Sequence, residues 1–152
     1  NRVYPEILKT CALIIDIRNN PGGNSTNGDY IAKHFFADTL LTGAWESRLY
    51  IPAYASWNYP EKIYRNEGTT WRHSERDTFQ LYLKPVVLLV DRGTFSAAED
   101  FISVMRATGH ATLVGDGFTP DIPVAETHNS YFKAKRDNAL TKALQWLNKG
   151  KF

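Results

Sequence analysis

Ser96 stands at a junction where a nucleophile could be built. Ahead of it, Pro85-Val86-Val87-Leu88-Leu89-Val90 reads as a short buried strand; after it, Ala97-Ala98-Glu99-Asp100-Phe101 reads as the start of a helix. A serine there holds its hydroxyl at the tip of a sharp turn, beside the unpaired N–H groups of the helix's first turn. Those donors and the helix dipole favour negative charge, which is what the transition state of acyl transfer develops. The same residues fit a capping box, with Ser96 as N-cap and Glu99 reaching back to its amide. From this stretch alone, nucleophile and cap both remain open.

A second stretch has the same architecture. Ala12-Leu13-Ile14-Ile15-Asp16-Ile17 is an apolar strand, Arg18-Asn19-Asn20-Pro21-Gly22-Gly23-Asn24 a tight turn, and a helix follows through Tyr30, Ile31, His34 and Phe35. Two consecutive glycines permit positive φ and let another segment approach the backbone closely. Taken alone, Pro-Gly-Gly also suits an ordinary strand-to-helix turn. In open α/β sheets, however, sites gather beyond the carboxyl ends of the strands, so both turns are expected to face one cleft. Asp16 and Arg18 can pair or pin the turn, and Asn19 and Asn20 favour turn conformations. Asp91 and Arg92 read as turn residues, Glu99 as a cap partner and Asp100 as a first-turn charge.

The elements that must position these turns are legible along the chain. A strand is expected over 11–17, a helix over about 26–41 capped by Asn24, Ser25 or Thr26, a strand over 86–90 and a third over 111–114. The helix after Ser96 should end near Thr108-Gly109. A last helix should begin at Asp137, bury Leu140, Leu144 and Leu147, and close at Lys149-Gly150. Between Trp45 and Tyr82, aromatics mix with charges and two prolines, which suggests a hairpin or long excursion on the sheet surface rather than a second domain. Its aromatics could line a peptide groove, face a neighbouring domain, or form satellite core packing.

The two strand-turn motifs together resemble the C-terminal processing peptidases, the tricorn protease core and the interphotoreceptor retinoid-binding protein. The resemblance is carried by Leu13 to Gly23 and Lys84 to Phe101. It is supported by Ala111-Thr112-Leu113-Val114-Gly115, by Thr119-Pro120-Asp121-Ile122-Pro123-Val124, and by Arg136-Asp137 with Leu140, Ala143 and Leu144. It implies an α/β fold of the crotonase/ClpP-like ββα superhelix type, a mostly parallel sheet backed by helices, in a single catalytic domain. It implies Ser96 as nucleophile, with an oxyanion hole formed by the Ala97 amide and a glycine amide of the Gly22-Gly23 pair. The implied work is serine-type cleavage of polypeptides, in some members near C-termini, without cofactor or metal. By the same analogy the location is the periplasm, the cell surface or outside the cell.

The chain departs from that family in two places. One branch activates its serine with a lysine about 25 residues further on, a general base of the usual kind for such nucleophiles; Asp121 stands at that position here. The other branch takes a histidine from a region before the first strand, and residues 1–10 hold none. The base is therefore expected from an upstream domain, alongside which a peptide-binding domain could sit. Val3, Ile7 and Leu8 read as the end of a helix entered midway. Members of the family also carry a longer stretch between the Val-Gly turn and the Pro-Asp element, so residues are expected to be missing near Gly117-Phe118. Two other functions share the fold: a noncatalytic binder of a peptide or apolar ligand, and acyl-CoA chemistry, for whose nucleotide portion the chain shows no feature.

Composition narrows the classes further. The 152 residues are one domain's worth, and 43% hydrophobic content is enough for a packed core. A formal charge of +2 without a long basic run gives no push toward nucleic acid. No apolar stretch approaches membrane-spanning length. Cys11, the single cysteine, reads as a small buried hydrophobe at the start of a strand. Of the histidines, His34 reads as a helix residue, partly buried or at the surface; His110 precedes a strand; His73 and His128 are loop-borne and the remaining in-chain candidates for a base. None pairs with metal-ligand spacing.

Overall fold

Two apolar runs from opposite halves of the chain lie side by side, and this fixes the architecture. The protein is described here as a computed structural model, which describes residues 2–60, 62–73, 80–125 and 135–150. A one-turn helix α1 (Tyr4–Ile7) precedes strand β1 (Leu13–Asp16), and the glycine turn leads into helix α2 (Ser25–Ala32). Strands β2 (Leu40–Leu49) and β3 (Tyr64–Arg72) form a long hairpin with a one-turn helix α3 (Ala53–Ser56) between them. Strand β4 (Val86–Val90), helix α4 (Ala97–Ala107), strand β5 (Ala111–Gly115), the short β6 (Ile122–Pro123) and helix α5 (Asn138–Asn148) complete the order.

The order in the main sheet is β1-β4-β5-β6, every pair parallel, while β2 and β3 form a separate antiparallel sheet. Asp16 pairs with Leu89 across β1 and β4, so the two strands end level. Both turns therefore leave from the same carboxyl edge. A parallel strand covered on both faces must be apolar at every position, and β4 is. Val86, Leu88 and Val90 face Phe101, Ile102 and Met105 of α4 with Ala32, Phe35 and Phe36; Val87 and Leu89 face Ala139 and Ala143 of α5. Each fully buried aliphatic side chain stabilises this three-layer stack by about 1.5–3 kcal/mol.

A charged clamp joins the layers at the site end. The Arg18 guanidinium donates to Asp137 Oδ1 and Oδ2 at 2.9 and 2.8 Å and to both carboxylate oxygens of Asp16. Asp137 also caps α5 by accepting from the Leu140 N–H at 2.8 Å. Hydrogen bonding to Arg18 holds both carboxyls below the ordinary aspartate range, and the carboxylates in turn raise the pKa of Arg18.

Several sequence expectations need correction. The first long helix ends at Ala32 and not near 41. His34, Phe35 and Phe36 are all buried, and three successive inward side chains exceed the arc that one helix face presents, so the chain leaves the helix before them. In α5 the inward residues are Ala139, Ala143, Trp146 and Leu147, while Leu140 and Leu144 are exposed. The alanines let the helix lie close to the sheet. Cys11 is exposed, because β1 begins two residues later. The aromatic excursion is the hairpin: Tyr54 stacks on Tyr59 and meets Tyr64 edge-on, each at 4.7 Å, whereas Trp45 and Trp71 remain about half exposed.

Candidate active site

The glycine turn is held by its own side chains. Asn20 Oδ1 accepts from the Gly22 N–H at 3.0 Å, and Asn24 caps α2 by accepting from the Thr26 N–H at 3.0 Å. Gly22 and Gly23 have φ of +93° and +143°. A Cβ on Gly22 would lie 2.7 Å from the Phe95 carbonyl oxygen, 2.8 Å from Ala97 N and 2.8 Å from Ser96 Cβ. Only glycine lets the two turns approach this closely. A Cβ on Gly23 would meet nothing within 4 Å, so Gly23 borders open space.

The serine turn is cross-linked to the glycine turn. The Phe95 N–H donates to the Asn20 carbonyl at 2.9 Å, the Asn19 N–H donates to Asp91 Oδ1 at 2.9 Å, and the buried Thr94 hydroxyl lies 3.0 Å from the Ile17 carbonyl. Ser96 itself has φ +57° and ψ −125°. A helix N-cap ordinarily has extended dihedrals, and a non-glycine residue in this strained region costs on the order of 1–3 kcal/mol. The expected capping box is present, with the Ser96 N–H donating to Glu99 Oε2 at 3.1 Å. A cap does not require the strained backbone; a sharp strand-to-helix elbow that presents an exposed serine does.

Two backbone donors of the two turns have no hydrogen-bond partner among the described residues. Ala97 N–H is the first of α4, and neither it nor the Gly23 N–H makes a hydrogen bond among the described residues. The Gly22 N–H is engaged by Asn20, which leaves Gly23 as the free donor of the glycine pair. Both residues line a cleft of about 210 Å³ that Gly22 also borders. Ile15, Ile17, Ile31 and Phe101 make its walls largely apolar, and Asn24 and Asn27 add polar edges.

The other sequence candidates lie elsewhere. Asp121 accepts from the Leu113 N–H at 2.9 Å and pairs with Arg106, one residue from the far end of α4. Arg106 stands ten positions beyond Ser96 along α4, about 15 Å at 1.5 Å per residue, so Asp121 has a structural task away from the serine. His34 is buried against Tyr4, and its Nδ1 lies 3.1 Å from the Tyr30 carbonyl. His73 Nδ1 lies 2.9 Å from Thr39 Oγ1 at the base of the hairpin. His110 precedes β5 at the opposite edge of the sheet, and burial lowers its pKa. His128 falls outside the described residues. Among the described residues, no group of three or more His, Cys, Asp or Glu is placed to hold a metal ion. Asp91 reads in sequence as a plain turn residue, and Thr94 carries no separate expectation, yet both bind across the two turns. Asp91-Arg92-Gly93-Thr94 is nonetheless an Asx-turn pattern, and that was the available signal.

The profile of peptidase family S41 matches residues 2–146. Among solved structures, a candidate peptidase from Parabacteroides merdae superposes with a TM-score of 0.73 at 22% identity, over 96% of this chain and 55% of that one. The photosystem II D1 C-terminal processing protease superposes with a TM-score of 0.49 at 21% identity, over 75% of this chain and 25% of that one. A lipoprotein from Streptococcus agalactiae gives 0.48 at 18% identity, over 76% and 38%. The chain thus spans about half the length of the Parabacteroides protein.

Proposed function

The chain belongs to peptidase family S41, and from that premise we propose that it forms the nucleophile-bearing part of a serine peptidase that cleaves polypeptides through an acyl-enzyme on Ser96. The observation that carries the reading is the strained Ser96 backbone, packed against Gly22 beside a cleft that Gly23 and Ala97 line, neither of whose amides is bonded among the described residues. In the proposed reaction Ser96 Oγ attacks the peptide carbonyl, and the carbonyl π electrons move to oxygen. The Gly23 and Ala97 N–H groups receive that oxyanion. A general base takes the Ser96 proton and gives it to the amine nitrogen as the oxyanion collapses and the C–N bond breaks. Water, losing a proton to the same base, then attacks the ester, and the C–O bond to Ser96 breaks as its oxygen takes that proton back.

No histidine or lysine among the described residues donates to or accepts from Ser96, and the proposal takes the base from a part of the protein outside them. The apolar cleft beside the donors supports a polypeptide substrate that inserts one apolar side chain there. Among the described residues, no helix is long and apolar enough to cross a membrane. An exported or cell-surface location is part of the proposal by family analogy.

The test is hydrolysis of an unstructured polypeptide by the intact protein and by Ser96→Ala. The proposal expects the variant to lose turnover while keeping the wild-type circular dichroism; equal turnover in the two would refute it. The second reading, a binding module of the same fold, draws on the lack of a histidine or lysine bonded to Ser96 among the described residues. It would be favoured if wild type bound such polypeptides without cutting them.

A further inference from the structure

We propose that Asp91 is a positioning residue whose carboxylate oxygen Oδ1 sets the glycine turn in register with the serine turn, and so fixes the spacing of the Gly23 and Ala97 amides. The inference rests on reading those amides as the oxyanion donors. Oδ1 accepts from the N–H of Asn19 and from that of Gly93, each at 2.9 Å, and lies 3.2 Å from the Thr94 hydroxyl. One oxygen therefore closes its own turn and grips the other.

The gripped residue is a sensitive one. Asn19 has φ +55° and stands just before Asn20-Pro21-Gly22-Gly23, so its amide sets the direction in which the glycines leave β1. Gly93 packs on it closely enough that a Cβ would lie 2.9 Å from Asn19 Oδ1 and 3.1 Å from Asn19 Cα. Thr94 is buried and supports the same arrangement, accepting from the Asp91 N–H at 3.2 Å and facing the Ile17 carbonyl. The remaining cross-link, from the Phe95 N–H to the Asn20 carbonyl, is main chain to main chain and survives any change at Asp91. Loss of the carboxylate should therefore let the glycine turn shift without separating the strands. Oxyanion donors act only when about 2.7–3.1 Å from the developing charge, and a displacement of about 1 Å can cost on the order of 100-fold.

The experiment compares wild type, Asp91→Asn and Asp91→Ala in the intact protein. A peptide aldehyde, which forms a tetrahedral adduct on a serine, probes the oxyanion donors; the matching peptide alcohol, which forms no adduct and carries no charge, probes simple binding. Asp91→Ala should weaken the aldehyde about 10- to 100-fold and leave the alcohol unchanged. Asp91→Asn, which keeps an acceptor oxygen, should recover most of the loss. Equal weakening of both ligands, or of neither, would overturn the inference. Amide hydrogen exchange supplies a readout that needs no activity. In Asp91→Ala the Asn19 amide should lose protection while those of Val86–Val90 keep theirs, and unchanged protection at Asn19 would overturn the claim. A wild type that takes no aldehyde would instead count against the Ser96 nucleophile, and exchange would then decide the role of Asp91.

Discussion

At the scale of single residues, Ser96 combines two tasks that make opposite demands. As a cap it stabilises α4; as an elbow it stores backbone strain at φ +57°. Replacing Ser96 by Gly relieves the strain, and glycine costs only a few tenths as an N-cap. We therefore expect Ser96→Gly to raise stability by about 1 kcal/mol, a rise of roughly 2–4 °C in Tm by calorimetry, while peptidase activity is lost. A lower Tm would mean that the cap outweighs the strain. Ser96→Ala keeps the strain and loses the cap, so it should fall by about 0.5–2 kcal/mol. The glycines separate in a similar way. Gly22→Ala drives a Cβ into Phe95 O, Ala97 N and Ser96 Cβ, whereas Gly23→Ala meets no atom and is strained by φ alone. Gly22→Ala should cost turnover the more heavily, by about 100-fold or more, and kcat measured for both variants checks the order.

At the scale of elements, the Arg18 clamp ties the end of β1 to the start of α5. Both aspartates have folded pKa values below 3.8, so their contribution is present above that value and lost as pH falls through the lowered folded values. Asp137→Asn keeps a good cap but removes the charge. It should lose ~1–2 kcal/mol at neutral pH and show a shallower acid limb in urea unfolding. An unchanged acid limb would place the acid sensitivity elsewhere. The clamp also shows what a sequence discloses. β4, the start and end of α4, the Asp137 cap and both turns were legible because apolar runs, caps and glycines are local signals. The pairing of Arg18 with Asp137, 119 positions away, has no local signature. Nor does the choice of Ala139 and Ala143 over Leu140 and Leu144 as the inward stripe, since both pairs have helical spacing and only closeness to the sheet decides. The hydrogen bond from Asn19 to Asp91 was hidden for the same reason, while the capping box at Ser96 was legible in residue order and its positive φ was not.

At the scale of the molecule, the parallel sheet sorts functions to its two edges. The carboxyl edge carries both turns and the cleft. The opposite edge carries His110, whose Nε2 is buried without a hydrogen-bond partner among the described residues. Burial lowers the His110 pKa from 6.5, so the folded state resists a proton that the unfolded state accepts. Stability is then unaffected above the unfolded value and falls as pH drops below 6.5 toward the lowered folded value. His110→Gln should flatten that fall in Tm measured against pH, and an unaltered slope would show that other groups carry it. The central claim remains the activated serine, and it is tested most directly by intact-mass spectrometry of the complete protein treated with a fluorophosphonate, beside Ser96→Ala. The account predicts a single adduct on wild type, mapped to Ser96 and absent from the variant. A folded, complete wild type that takes no adduct, or one that the variant takes equally, would contradict it.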